Sequence, residues 1–168
     1  MKNKWTVLIF IITFILACLF STLSNLLGSL NNYFLIVAIL IVITIGIIFD
    51  TIGTAVLSCD IKVFHSKASQ KIKGSKKAVV LAKNATKVSS ICNDVVGDIC
   101  GIVSGSLVTI LIANLFINKD LSIYNILITS ILSSLTVGGK ALGKTYAVKN
   151  SNEIIYRVGK LLSICSNH

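Results

Sequence analysis

The sequence predicts an all-α integral membrane protein with about four transmembrane helices, and three observations carry that reading. Hydrophobic residues make up 54% of the 168-residue chain, only 13% are charged, and proline is absent. With a mean hydropathy of +0.88, this is too apolar for a soluble domain of such length. The apolar residues gather into four runs separated by polar or lysine-rich stretches, and the basic residues fall almost wholly on one side of those runs.

The first run extends from Trp5 to Leu27, "WTVLIFIITFILACLFSTLSNLL". A polar break, "GSLNN" (28–32), leads to the second, "YFLIVAILIVITIGIIFDTIGTAVL" (33–57). Both are long enough to cross a bilayer core, which takes about 20 helical residues. The lysine-rich stretch at about 58–94 predicts a hairpin, with two short basic helices over residues 60–90 broken at Gly74–Ser75. The third run, Val95 to Ile117, is softened by Asp98 and by Gly97, Gly101 and Gly105. After "NKD" (118–120), the fourth run, Leu121 to Val137, is short and rich in Ser and Thr. Near the C-terminus, Ile154, Ile155, Val158, Leu161, Leu162 and Cys165 recur at helical spacing, with Glu153, Arg157 and Lys160 off that stripe. This predicts an amphipathic helix suited to a membrane surface or a partner.

Charge placement sets the expected topology. Lys2 and Lys4 precede the first run, eight lysines lie between the second and third, and Lys140, Lys144, Lys149, Arg157 and Lys160 follow the fourth. Only Lys119 falls on the other side, so 15 of 16 basic residues fit four spans with both termini cytoplasmic in the cell membrane. The formal net charge of +10 therefore reads as an orientation signal, and no nucleic-acid partner is expected. The lysines of the hairpin predict attraction to anionic lipid headgroups, with a solvated charged face as the alternative. Residues 1–32 read as an N-terminal anchor or a signal-like helix. Its length and the lack of a clear A-x-A site favour an uncleaved anchor, and cleavage would leave the N-terminus external.

Residues 138–145, "GGKALGKT", satisfy the phosphate-binding pattern through Gly138, Gly143, Lys144 and Thr145. A working loop of that kind follows a buried strand, opens a helix and needs acidic residues for Mg²⁺. Here the letters follow a helical run in a chain with only six acidic residues, so no nucleotide is expected. Cys18, Cys59, Cys92, Cys100 and Cys165 form no C-x-x-C pair, and His65 and His168 have no partner at metal-ligand spacing. No nucleophile–base pairing points to an enzyme.

Four segments over residues 33–165 resemble the membrane domain of the CorB/CorC and cyclin-M family of magnesium transport proteins. "FDTIGTAVLS" (49–58) is similar to F-S-G-x-E-T-A-L-x-S, with Gly53 and Thr54 at motif positions. "HSKASQKIKGSKKAVVLAKNATKVSS" (65–90) is similar to the family's cytoplasmic hairpin. "GDICGIVSGS" (97–106) stands where the family has G-N-N-L-V-N, beginning at Gly97. "GKALGKTYAVKNSNEIIYRVGKLL" (139–162) is similar to G-E-I-I-P-K and the helix after it, with Gly139, Gly143 and Lys144 at motif positions. The resemblance implies a transmembrane domain over 33–168, without the family's CBS modules. It also implies Mg²⁺ as a bound or transported ion, with no other cofactor, and a homodimer. Packing of the third run's small residues within one chain is the alternative to that dimer.

Departures from the family fall at its ion-binding positions. Asp50 replaces a Ser, Gly53 the Glu of E-T-A, Asp98 an Asn, Lys140 the Glu of G-E-x-x-P-K, and Gly143 its proline. Asp50 lies about two turns from the cytoplasmic end of its run. A hard cation wants oxygen ligands and negative charge, so Asp50 and Asp98 are the candidate cation ligands and Lys140 the counter-charge. Three arrangements stay open. Lys140 occupies the cation's place as a tethered counter-ion, or it turns outward and leaves the two aspartates to bind, or all three lie at the interface with Lys140 snorkelling to phosphates. The expected function is divalent cation transport through a degenerate site. The alternative is a non-transporting membrane scaffold, or a regulator of a full-length magnesium transporter.

Overall fold

A computed structural model of the chain describes residues 2–28, 31–115 and 121–165, and among them all regular structure is helical, with no strand. In chain order the helices are α1 (Lys2–Leu27), α2 (Asn32–Ser58), α3 (Ile61–Ser69), α4 (Ser75–Lys83), α5 (Ala85–Ser89), a π-helical segment (Ser90–Gly97), α6 (Asp98–Leu115), α7 (Leu121–Lys149) and α8 (Ser151–Cys165). Four helical stretches, Trp5–Ser24, Asn32–Ser58, Ala85–Leu115 and Asn125–Lys149, are long and apolar enough to cross a membrane. Lys119 and the rest of "NKD", residues 29 and 30 of "GSLNN", and His168 lie outside the described residues.

The chain divides into two compact units. The first holds residues up to Ile47 together with Val95–Gly139. Its core is a pair of helical stripes. Leu35, Ile39 and Ile43 of α2 recur every four residues, as do Val95, Ile99, Val103 and Leu107 across the π segment and α6. Side chains four apart on a helix share a face, so the two stripes zip together. Ile9 and Leu16 of α1 and Ile128 and Leu132 of α7 pack around them. At Gly46 α2 packs closely on α6: a Cβ there would stand 2.9 Å from Cys100 Cβ. Many remaining aliphatic and aromatic side chains of this unit, Phe10, Phe14, Leu19 and Phe34 among them, point outward. An apolar exterior on helices of this length suits lipid rather than water.

The second unit, Ile48–Asp94 with Lys140–His168, packs around Phe64, which is fully buried among Ala55, Val56, Ala78, Val79, Ala147 and Ile155. Its corners are fixed by short polar side chains. Asp60 caps α3 by accepting from the Lys62 amide at 2.9 Å, while its own amide donates to Asn152 Oδ1 at 2.9 Å. Ser151 Oγ donates to the Ser58 carbonyl at 3.2 Å, which ties the start of α8 to the end of α2. Gly74, with φ +89°, opens α4 where the sequence places the break. A side chain there would be strained by the left-handed backbone, and it would also stand 2.6 Å from Lys160 Cα. The reciprocal contact is at Gly159, where a Cβ would lie 2.8 Å from both the Ala78 nitrogen and the Gly74 carbonyl. Two glycines therefore let α8 lie against the start of α4.

Two boundaries differ from the sequence expectation. The fourth apolar run ends at Val137, yet α7 continues unbroken to Lys149. Without proline nothing removes an amide from the ladder, and Gly138 and Gly139 each weaken a helix by only about 1 kcal/mol relative to alanine. The helix stops at Asn150, whose amide and side-chain Nδ2 both donate to the Tyr146 carbonyl, at 3.0 and 3.4 Å. The phosphate-loop letters of 138–145 thus lie inside a helix and form no loop. The second difference is the π-helical segment before α6, which extends the apolar passage back to Ala85.

Candidate functional site

Asp50 stands in α2, eight residues before its end, and is only 3% exposed. Its Oδ2 is buried and accepts no hydrogen bond, and the Nζ of Lys144 on α7 stands 3.6 Å from it. The Lys144 side chain is half exposed, so the pair joins a desolvated carboxylate to an ammonium that keeps part of its solvent. At 3.6 Å the contact is an ion pair without a hydrogen bond. One turn along α2 from Asp50, on the same face, lies Gly53. A Cβ at Gly53 would overlap the carboxamide of Asn93 and stand 3.0 Å from Cys92 Cβ. Gly53 therefore admits Asn93, which the π segment presents. Asn93 Nδ2 donates to Ser89 Oγ at 3.3 Å, while its Oδ1 is buried with no hydrogen-bond partner.

This corner of the second unit thus holds two buried oxygens that accept no hydrogen bond, one of them anionic, next to one ammonium. Leaving a buried acceptor unsatisfied costs about 1–3 kcal/mol, so such atoms in a folded chain call for a partner such as a water or an ion. π-helical turns inside longer helices recur at functional sites. Asp50 Oδ2 and Asn93 Oδ1 are the oxygens chemically suited to a hard cation. Mg²⁺ takes one or two carboxylates and keeps several waters, and Asp50 is the one carboxylate of this pair. Lys144 opposes it, because an ammonium beside Asp50 supplies the positive charge a cation would bring.

The remaining sequence candidates are placed as follows. Lys140 lies on α7 one turn before Lys144, half-buried and engaged in an interaction of its own. Lys144, read from the sequence as a motif position, thereby takes a counter-charge role at Asp50. Thr54 follows Gly53 and is half-buried, its carbonyl accepting from Ser58 Oγ at 3.1 Å. Gly143 is half-buried in α7. In the first unit, Asp98 opens α6 and is exposed, Gly97 closes the π segment and is buried, and Gly139 lies against the Ile47 side chain. Among the described residues, no three of His, Cys, Asp and Glu gather as a metal-binding group.

Asn93 is the residue that sequence reasoning missed. Its only signal was a side-chain amide at the foot of an apolar run, since the π segment shifts its facing away from α-helical spacing. Comparison with protein-family models, with curated proteins and with solved structures finds no match to this chain.

Proposed function

We propose that this is a multi-pass protein of the cell membrane, with four spans and both termini cytoplasmic. In this reading it is related to the cyclin-M and CorB/CorC membrane domain and carries a degenerate divalent cation site at Asp50. One observation carries the reading: the buried Asp50 Oδ2 accepts no hydrogen bond and stands 3.6 Å from Lys144 Nζ. In a site built for a cation, Lys144 is a tethered counter-ion that Mg²⁺ must displace before Asp50 and Asn93 can ligate it. Asp98 and Lys140 remain the sequence's further candidates, as cation ligand and counter-charge. The basic hairpin faces the cytoplasmic leaflet, as the excess of lysine between the second and third runs supports. A homodimer fits the open space beside Gly101 and Gly105, where no atom lies within 4 Å of an added Cβ.

The test is Mg²⁺ flux into liposomes holding the purified protein, beside Asp50→Ala, Lys144→Gln and Lys140→Glu. Flux in the unmodified protein that Asp50→Ala abolishes identifies a transporter. Silence in the unmodified protein with flux in Lys144→Gln identifies a fold locked by its own lysine. That ammonium also favours the second reading, a non-transporting scaffold or regulator of a full-length magnesium transporter. Silence from every variant, with no Mg²⁺ binding by calorimetry, overturns the cation reading and leaves the scaffold.

A further inference from the structure

The second unit carries thirteen of the sixteen basic residues and four of the six acidic ones. Its positive charge is focused at one place. Lys71, Lys73, Lys76 and Lys77 line a depression of about 590 Å³ between the α3–α4 turn and the last turns of α8, with Ile72 and Ile164 among its walls and, among the described residues, no acidic one. The turn converges these lysines because Lys71 and Gly74 both adopt positive φ, 56° and 89°. The glycine contact at Gly74 and Gly159 brings α8 alongside. The face α8 buries is Ser151, Ile155 and Gly159; Ile164 lines the depression with the lysines and Leu161, one turn before it, shares its side of the helix, the two exposed at 63% and 64%.

We propose that this surface docks on a bilayer leaflet of anionic phospholipids, with the four lysines around headgroup phosphates and the Leu161–Ile164 edge immersed at the acyl boundary. Charge complementarity and the adjoining aliphatic edge together select this partner. A nucleic acid or a soluble polyphosphate would satisfy the lysines but leave the large aliphatic side chains of Leu161 and Ile164 in water. Lysine stems lie along apolar surface while their ammonium groups stay with phosphate, and basic residues flanking exposed Leu and Ile are the pattern of helices lying in the interface. The proposal concerns a site separate from Asp50 and rests only on the reading that the chain spans a bilayer.

The experiment places an indole at the edge, Leu161→Trp, in a Trp5→Phe background that removes the one native tryptophan. The protein is reconstituted into nanodiscs of phosphatidylcholine alone, or of phosphatidylcholine and phosphatidylglycerol in equal parts, with chains brominated near the headgroup. The expected result is stronger bromine quenching and a blue-shifted emission in the anionic discs. Lys71→Gln, Lys73→Gln and Lys76→Gln together should reverse both, each lysine being worth about fivefold in association with an anionic surface. Water-like emission in both discs overturns the proposal. So does an emission shift produced by soluble inositol hexakisphosphate but not by phosphatidylglycerol. Wild-type Trp5 serves as the control: its quenching in both discs keeps the spanning reading intact when the docking proposal fails, and its absence in both sinks the spanning reading instead.

Discussion

Gly159→Ala adds one methyl group where the structure leaves no room for it. The new carbon would stand 2.8 Å from the Ala78 nitrogen, 2.8 Å from the Gly74 carbonyl oxygen and 3.0 Å from Ala78 Cβ, against an optimum of about 3.5–4.0 Å for such contacts. Two of these neighbours are backbone atoms, so relief requires α8 to withdraw from α4 by the better part of an ångström. Overpacking of this kind costs about 1–3 kcal/mol, and the better helix propensity of alanine returns about 1 kcal/mol. Gly138→Ala is the control, because Gly138 also lies inside a helix but an added Cβ there meets nothing within 4 Å. The difference between the two variants isolates the steric cost. Hydrogen exchange of the α8 amides reads local opening. At tenfold per 1.4 kcal/mol, α8 in Gly159→Ala should open about 5- to 150-fold more readily than in Gly138→Ala. Equal protection of α8 in the two variants would refute the close crossing of α4 and α8.

Three further predictions address other parts of the second unit. Lys144→Met strands the buried Asp50 carboxylate and should destabilise the protein by about 1–2 kcal/mol, below the range for a fully buried pair because Lys144 is half exposed. Asp50→Asn combined with Lys144→Met should recover much of that loss in a thermal-stability cycle. Burial first, and then the neighbouring Asp60 charge, raise the Cys59 thiol above its ordinary value, outweighing the backbone hydrogen bond that lowers it. Less thiolate is then present at any pH below that value, so alkylation by iodoacetamide, followed by mass spectrometry, should rise with pH later than for a free thiol. Asp60→Asn keeps a capping oxygen and should shift the rise to lower pH. Finally, Gly74→Ala should cost at least about 1–2 kcal/mol from its left-handed backbone alone, seen as earlier proteolysis at the α3–α4 turn.

Much of the helical order was legible in local sequence. The apolar runs at 5–27 and 33–57 required only length and hydropathy, and the break at Gly74 required only the one residue type that accepts positive φ without strain. The site was less legible because its geometry is non-local. Lys140 and Lys144 lie on one face of a continuous helix, a single turn apart, and no spacing rule decides which of them stands within 3.6 Å of Asp50. Asn93 was hidden by the π segment, which breaks the 3.6-residue rhythm that assigns faces. On α8, the stripe of large aliphatics drew attention to Leu161 and Leu162, yet the packed face runs through Ser151, Ile155 and Gly159. Small residues let backbones approach, and hydropathy alone does not register them.

The π-helical segment also sets how this chain tolerates changes of length. Its i to i+5 bonding holds more residues per turn than the α ladder, and each α-helical residue turns the chain by about 100°. A one-residue deletion within 90–97 would let the passage relax into regular α-helix, with its backbone hydrogen bonds intact. It would also swing Val95, Ile99, Val103 and Leu107 off the stripe they share with Leu35, Ile39 and Ile43, or else carry Asn93 away from Gly53. Substitutions here act on one side chain, whereas an insertion or deletion acts on two facings at once. Among homologues, the number of residues from Asn93 to Val103 should therefore stay constant through this passage, while length variation collects in the turns.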